Sequence, residues 1–317
     1  MARGAWSTDC NRNGVDDALD VKGSGFQLEP QLGPEGAGGS TTDVVAADFN
    51  GDGAKDVALI DRGGAAVLLR SNDGNGGFGE AVRFEAGRFP IFTATGDLDR
   101  DGDEDIVVAN GGLDRLSVLL NDGSGRFAAP RPVPMDGGAT FVAAVDLDGD
   151  EDLDLVCATS VYGRLHVLKN DGPAVFTLPV EVLAAQGARF ATVLDFEGDG
   201  APDLAVIGSG RLLFLSNKGT GQFERVLEVP VGDQPVLAAA GDFDGDSTAD
   251  LAVAGKSSNS IALYINRGRG LAPSPIFIDG KAARGGVGQL VAGDFDRDGA
   301  SDLILANGGD SVFTFRS

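Results

Sequence analysis

Short apolar runs separated by clusters of glycine, asparagine and aspartate fill almost the whole chain. The stretch from Thr93 to Pro134 is representative. Thr93-Ala-Thr-Gly96 leads into an acidic segment, and Ile106-Val-Val-Ala109 follows it. Asn110-Gly-Gly-Leu-Asp-Arg115 separates that run from Leu116-Ser-Val-Leu-Leu120. A tight turn at Asn121-Asp-Gly-Ser-Gly125 precedes Phe127 and an extended segment ending near Pro134. Runs of this length, bounded by turn residues, predict strands joined by hairpins. No useful stretch has the 3.6-residue period of a helix. The unit is therefore read as four short antiparallel strands, A to D, with the acidic segment joining A to B.

The unit recurs, and the acidic segment is its clearest marker. Six copies begin at Asp48, Asp97, Asp146, Asp195, Asp242 and Asp294, spaced by 49, 49, 49, 47 and 52 residues. A second marker, the asparagine of the C–D turn, stands at Asn72, Asn121, Asn170, Asn217 and Asn266. A four-stranded unit with this period is a propeller blade. The expected architecture is all-β: a six-bladed β-propeller of four-stranded antiparallel blades. The sixth repeat reaches only strand C within the 317 residues. Lys22-Gly-Ser-Gly-Phe26 resembles the C–D turn at Asn217, and Gln27-Leu-Glu-Pro-Gln-Leu32 reads as a D strand. An N-terminal strand completing the last blade would remove an exposed sheet edge. Residues 25–317 are thus assigned to the propeller and 1–24 to a separate N-terminal segment.

Each acidic loop presents oxygens at alternate positions. Positions 1, 3, 5 and 9 are Asp48, Asn50, Asp52 and Asp56 in loop 1, and Asp97, Asp99, Asp101 and Asp105 in loop 2. They are Asp146, Asp148, Asp150 and Asp154 in loop 3, and Asp195, Glu197, Asp199 and Asp203 in loop 4. They are Asp242, Asp244, Asp246 and Asp250 in loop 5, and Asp294, Asp296, Asp298 and Asp302 in loop 6. Position 7 offers a carbonyl from Ala54, Asp103, Asp152, Ala201, Thr248 or Ala300. Six to eight oxygens at about 2.3–2.6 Å suit Ca²⁺, and an all-oxygen set disfavours zinc or copper. Glycine at position 6 permits a sharp turn. Glu151 and Ser247 replace it in loops 3 and 5, which are expected to bind more weakly. The apolar residue at position 2 is expected to anchor each loop in the core. For any single loop, an acidic turn without metal is the competing reading.

Charge supports the metal reading. The net charge is −23, and 23 of the 48 acidic residues sit at positions 1, 3, 5 and 9, three in loop 1 and four in each other loop. Carboxylates so close repel one another unless a cation sits among them. The same charge excludes nucleic acid as a partner, because a phosphate backbone needs a basic surface. No apolar run is long enough for a membrane helix, which takes roughly 18 residues or more. Loops without a glutamate at position 12 should bind calcium at roughly 10⁻⁴–10⁻³ M, a range suited to an extracellular setting. Met1–Trp6 shows no apolar signal core, so an extracellular or cell-surface location is expected on the calcium argument alone.

Asp-x-Asp-x-Asp-Gly-x-x-Asp, followed 24 residues from its start by Asn-Asp-Gly-x-Gly-x-Phe, resembles the FG-GAP/VCBS repeats of integrin α-subunit propellers and bacterial surface proteins. The resemblance covers about residues 26–317, and the bacterial VCBS form is the closer likeness. It implies structural calcium in the A–B loops and a ligand-binding face on the opposite, D–A and B–C side. On that face stand Arg88-Phe89-Pro90, Asp114-Arg115, Tyr162-Gly-Arg164, Arg189-Phe190 and Lys281-Ala-Ala-Arg284. Residues 9–20 resemble a dockerin or EF-hand loop, with Asp9, Asn11, Asn13, Val15 (carbonyl), Asp17 and Asp20 as ligands of a seventh calcium.

No catalytic constellation is evident. The single histidine, His166, falls on a strand and is read as a strand-surface residue, and Cys157 as a core residue. The acidic pairs recur in every repeat, whereas a catalytic pair is normally unique. Three roles follow: a non-enzymatic propeller for adhesion or protein interaction, a fibre subunit linked through its N-terminal strand, or a lectin. One Trp and two Tyr are few for sugar platforms.

Overall fold

The computed structural model describes residues 41–315, apart from 76, 160–162, 184–186, 209, 232–234, 256–259, 269–274, 280–286, 296–297 and 308–311. The expected N-terminal calcium loop, the closing strand at 26–32, Tyr162, Lys281–Arg284 and Asp296 lie outside the described residues. The first sheet consists of β1 (Thr41–Ala47), β2 (Asp56–Asp61), β3 (Ala66–Arg70) and β4 (Val82–Glu85). The second contains β5 (Pro90–Gly96), β6 (Asp105–Asn110), β7 (Arg115–Leu119) and β8 (Arg131–Pro134). The third has β9 (Ala139–Val145), β10 (Asp154–Thr159), β11 (Leu165–Leu168) and β12 (Val180–Leu183). The fourth has β13 (Ala188–Leu194), β14 (Asp203–Gly208), β15 (Arg211–Asn217) and β16 (Phe223–Pro230). The fifth comprises β17 (Pro235–Gly241), β18 (Asp250–Gly255), β19 (Ser260–Tyr264) and β20 (Ile276–Asp279). A sixth, three-stranded sheet holds β21 (Val287–Gly293), β22 (Asp302–Asn307) and β23 (Val312–Phe315).

Within each sheet the strands pair in chain order, all antiparallel. This is the four-strand unit read from the hydrophobic pattern, five times complete and once partial. Closure by residues 26–32 involves residues outside the description.

Apolar runs in the B strands follow from burial on both faces. In β6, Ile106 and Val108 face β1–β4 and pack with Phe49, Ala58, Ile60 and Leu119. Val107 and Ala109 face the other way and pack with Leu116, Val118, Leu155 and Cys157. Successive side chains of a strand point to opposite faces, so a strand between two neighbouring sheets needs apolar residues at every position. Cys157 is fully buried there, as expected. His166 is not a surface residue: it is 3% exposed. The correction has the same cause, since every residue of β11 is buried. Burial holds the His166 imidazole below its ordinary pKa and favours the neutral form.

The A strands converge. Phe92 of β5, Phe141 of β9 and Phe190 of β13 meet ring to ring, with centroids 5.0, 5.0 and 6.0 Å apart. Phe92 and Phe190 belong to sheets separated by a whole sheet. Their contact places the first strand of each unit at the inside of a propeller-like array. Asp43 of β1 is linked to the next sheet there, accepting from the backbone N–H (2.8 Å) and hydroxyl (3.0 Å) of Thr93. The acidic loops all leave the A strands at one end, and the D–A and B–C connections lie at the other.

Candidate metal centres

Each acidic loop is built around its first aspartate. The Asp97 carboxylate accepts from the backbone N–H of Asp101 (3.1 Å) and Gly102 (3.0 Å). Asp48, Asp146, Asp195, Asp242 and Asp294 accept equivalent N–H groups of their own loops. The position-5 carboxylate then accepts from the N–H of position 7, as Asp101 does from Asp103 at 3.0 Å. Two left-handed residues bend the chain into this ring. One is position 6, glycine in loops 1, 2, 4 and 6, and Glu151 (φ 71°) and Ser247 (φ 68°) in the other two. The second, not foreseen from the sequence, is position 4, where Arg100 adopts φ 61°.

Position 9 has a different part from positions 1, 3 and 5. Asp56, Asp105, Asp154, Asp203, Asp250 and Asp302 are all at most 2% exposed. In loop 2, Asp105 Oδ2 accepts from the N–H of Leu98 (3.0 Å) and Oδ1 from the N–H of Asn121 (2.8 Å). Loops 1, 3, 4 and 5 repeat both bonds. The turn asparagine completes the clamp. Asn121 Nδ2 donates to Phe49 O of the preceding sheet at 2.8 Å, and Asn170, Asn217 and Asn266 do the same to Leu98, Leu147 and Phe196. The asparagine that marked the period in the sequence is thus also the amide joining one sheet to the last. Its spacing from position 9, 16 residues in loops 1, 2, 3 and 5 and 14 in loop 4, was the signal for this role.

The position-2 anchors are buried as expected at Phe49, Leu98, Leu147, Phe196 and Phe243. Phe295 departs from this at 53% exposed.

Among the described residues, three loops bring their position 1, 3 and 5 carboxylates together. Ligand oxygens of Asp97, Asp99 and Asp101 lie within 4.8 Å of one another, as do those of Asp146, Asp148 and Asp150 and of Asp242, Asp244 and Asp246. Two oxygens on opposite sides of a calcium ion, each about 2.4 Å away, are about 4.8 Å apart, so these sets have the right span. Loop 2 fits best. Asp99 Oδ1 is buried with no hydrogen-bond partner, the kind of orphan acceptor a cation would satisfy. Burial, and then the charges of Asp101 and Asp97, push the Asp99 carboxyl above its ordinary value. Asp105 is pushed up to about 7, chiefly by burial, with Asp99 and Asp101 adding to it. Asp154 and Asp250 are pushed up to about 6 by the same cause. These groups resist ionising while no positive charge is near. A divalent cation such as calcium, held by positions 1, 3 and 5, would supply that charge.

Loops 3 and 4 already hold organic cations. At loop 3, Lys169 Nζ is 2.6 Å from Asp148 Oδ2, and Arg100 Nε is 2.8 Å from Asp152 Oδ1. Asp148 Oδ1 still has no partner, and the triad stays within span. At loop 4 the position-3 residue Glu197 accepts from Ser216 Oγ (2.8 Å) and is paired with Lys218. Lys218 holds the Glu197 carboxyl below its ordinary value. The substitutions at Glu151 and Ser247 leave the triads of their own loops assembled.

On the opposite face, Phe89 is 44% exposed and held at φ 52°. The Arg62 and Arg88 guanidiniums stand 5.8 and 5.1 Å from its ring centre. Gly111 N–H donates to Phe89 O at 2.9 Å, and a Cβ at Gly112 would run into the ring. Of the other basic residues expected there, Arg164 is spent on Asp136 (3.1 Å) and Glu181 (3.6 Å).

Comparison with known proteins agrees with this architecture. The FG-GAP-like repeat family matches residues 48–108, 97–157, 146–206, 195–253 and 242–305. Among solved structures, an Agrocybe aegerita lectin that recognises non-reducing terminal N-acetylglucosamine is 19% identical. It covers 87% of this chain and 81% of its own, with a TM-score of 0.63. BBS1N, solved in complex with ARL6DN, is 15% identical over 89% of this chain and 81% of its own, also with a TM-score of 0.63. Both likenesses are of fold. No curated protein matches the chain.

Proposed function

Since this chain belongs to the FG-GAP-like repeat family, we propose that it is a non-enzymatic, calcium-stabilised extracellular propeller. Its face opposite the acidic loops receives a protein partner. Calcium is structural in this reading: it neutralises carboxylates that the clamp of Asp and Asn holds close together. Modest affinity, roughly 10⁻⁴–10⁻³ M, suits sites that are filled outside the cell.

The observation that carries the interaction role is the Phe89 cluster. An aromatic side chain in a left-handed conformation costs roughly 1–3 kcal/mol and is kept only where its surroundings impose it. Here Gly112 makes room for the ring, and two arginines flank it. Aromatic and arginine side chains dominate protein-binding energetics. On a chain of net charge −23, a local pair of guanidiniums favours an acidic partner surface.

The test uses immobilised wild-type protein and an Arg62→Glu/Phe89→Ser variant, each exposed in calcium to a cell-surface protein fraction. Proteins retained by the first and lost from the second support the reading. Equal recovery refutes it. A lectin role is the second reading, favoured by the fold shared with the Agrocybe aegerita lectin. Against it, Tyr264 is 1% exposed and cannot serve as a sugar platform. A glycan array that includes N-acetylglucosamine-terminated glycans separates the two.

A further inference from the structure

Loop 4 departs from loops 1, 2 and 3 at two places that face each other; loop 5 shares a cationic turn, Asn266-Arg267-Gly268, but keeps Asp244 at position 3. Position 3 of loop 4 is Glu197, where the other five loops have Asp or Asn. Its C–D turn reads Asn217-Lys-Gly219, where repeats 1, 2 and 3 read Asn72-Asp-Gly74, Asn121-Asp-Gly123 and Asn170-Asp-Gly172. In repeat 2 the turn adds another negative charge, Asp122, whose field reaches Asp103 of the loop. In repeat 4 the same turn position adds a positive one.

The two changes meet in space. Lys218 Nζ pairs with Glu197 and lies 3.6 Å from Asp199 Oδ2, so it spans positions 3 and 5 of the loop. Glu197 Oε2 also accepts from Ser216 Oγ at 2.8 Å. The longer glutamate thus reaches the C strand and the turn, and its carboxylate is drawn away from the positions it would share with a metal. Loop 4 is accordingly absent from the described triads that lie within ligand span, which come from loops 2, 3 and 5. Its backbone ring is nevertheless intact: Asp195 accepts from Gly198 (2.7 Å), Asp199 (3.2 Å) and Gly200 (2.9 Å). The ring has formed with an ammonium group at its acidic positions.

We propose that Lys218 is the resident cation of loop 4, and that this loop holds its fold without calcium while loops 2 and 5, whose carboxylate triads lie within ligand span without a paired lysine, need the ion. The inference rests on the calcium reading of the other loops. It divides the sites along the chain: a metal-dependent group that includes loop 2, and one metal-independent position in the fourth sheet. Lysine is suited to the part, as a compact point charge on a flexible stem.

Calcium bound per chain, measured by equilibrium dialysis on the full-length protein, tests this. The Glu197→Asp/Lys218→Asp variant restores the residue types of loop 2 and is expected to bind one more ion than wild type. A count equal to wild type overturns the proposal, because loop 4 would then already be filled or be unable to bind at all. Should the double variant not fold, Lys218→Met alone removes the competing charge while keeping the stem. It is expected to gain one weakly held ion at millimolar calcium, and no gain again overturns the proposal. Asp101→Asn is measured alongside and is expected to lose one ion from loop 2. If the wild type binds no calcium, the calcium reading itself fails, whatever the behaviour of position 218.

Discussion

Loops 2 and 4 occupy the same place in two sheets and share nearly all their backbone hydrogen bonds, yet they handle charge in opposite ways. In both, the first aspartate gathers the loop's N–H groups. In both, the ninth clamps position 2 and the turn asparagine. In both, that asparagine reaches back to the preceding sheet. Loop 2 then leaves Asp99 Oδ1 without a partner, whereas loop 4 closes Glu197 onto Ser216 and Lys218. The comparison separates two functions that a single motif suggests. The clamp of buried Asp and Asn builds the sheet array. The outer carboxylates form a replaceable charge site on top of it.

Removing calcium should give the largest effect. At calcium tenfold above Kd, each filled site contributes about 1.4 kcal/mol. Several such sites together rival the ~5–15 kcal/mol stability of an ordinary domain. Excess EDTA is expected to lower the melting temperature by tens of degrees in calorimetry, and an unchanged melt would remove the metal from the account. Next come the clamps. Asp105→Asn and Asp203→Asn each turn a buried acceptor into a donor facing a backbone N–H, at about 1–3 kcal/mol per group left unsatisfied. In EDTA the two should cost alike by urea unfolding, because the clamp is common to both loops. In calcium, Asp105→Asn should cost more, since only loop 2 adds a metal.

A further effect comes from pH. Asp105 is pushed up to about 7 in the folded chain, against an ordinary value of about 3.9 unfolded. Between those values the folded state binds more protons than the unfolded one, so stability falls as pH rises. In EDTA, urea unfolding should show the protein weakening from about pH 4 to about pH 7, with Asp154 and Asp250 contributing up to about 6. Calcium should flatten the slope by stabilising the ionised carboxylates. A calcium-free protein that strengthens over this range would contradict the picture of an uncompensated loop 2.

Much of this was legible in the sequence because the fold repeats it. The acidic loop gave the period, and the apolar runs before and after it gave strands that match β5, β6, β7 and β8 closely. His166 was misread because a continuous apolar run does not say which strands are covered on both faces. That depends on the neighbouring sheet, and β11 lies in the interior. Position 9 reads as one more oxygen in the motif, and only the fold shows its two backbone donors. Position 6 marked Glu151 and Ser247 as departures, yet both take the left-handed turn and leave their triads assembled. The larger difference was spread over Glu197 and Lys218, 21 residues apart, and no local pattern joins them.

The smallest expected effect isolates backbone strain at position 4. Arg100 holds φ 61° there in loop 2, and Gly198 holds φ 72° in loop 4. A side chain in the left-handed region costs roughly 1–2 kcal/mol, from which glycine is free. Gly198→Arg should therefore destabilise by about 1 kcal/mol, since Gly198 has open space around it and only strain is added. Arg100→Gly should change stability far less. It relieves a similar strain but loses the ion pair to Asp152 at 2.8 Å, the bond to Glu151 O at 3.3 Å and the bond from Nη2 to Asp150 O. With the arginine side chain 45% exposed, such a pair is worth about 0–1 kcal/mol. The two terms nearly cancel, and the net shift in urea unfolding should stay within about 0.5 kcal/mol. A large loss from Arg100→Gly would mean instead that Arg100 is to loop 3 what Lys218 is to loop 4. It would then be a resident cation, and the division between the two kinds of loop would fall between the second and third sheets.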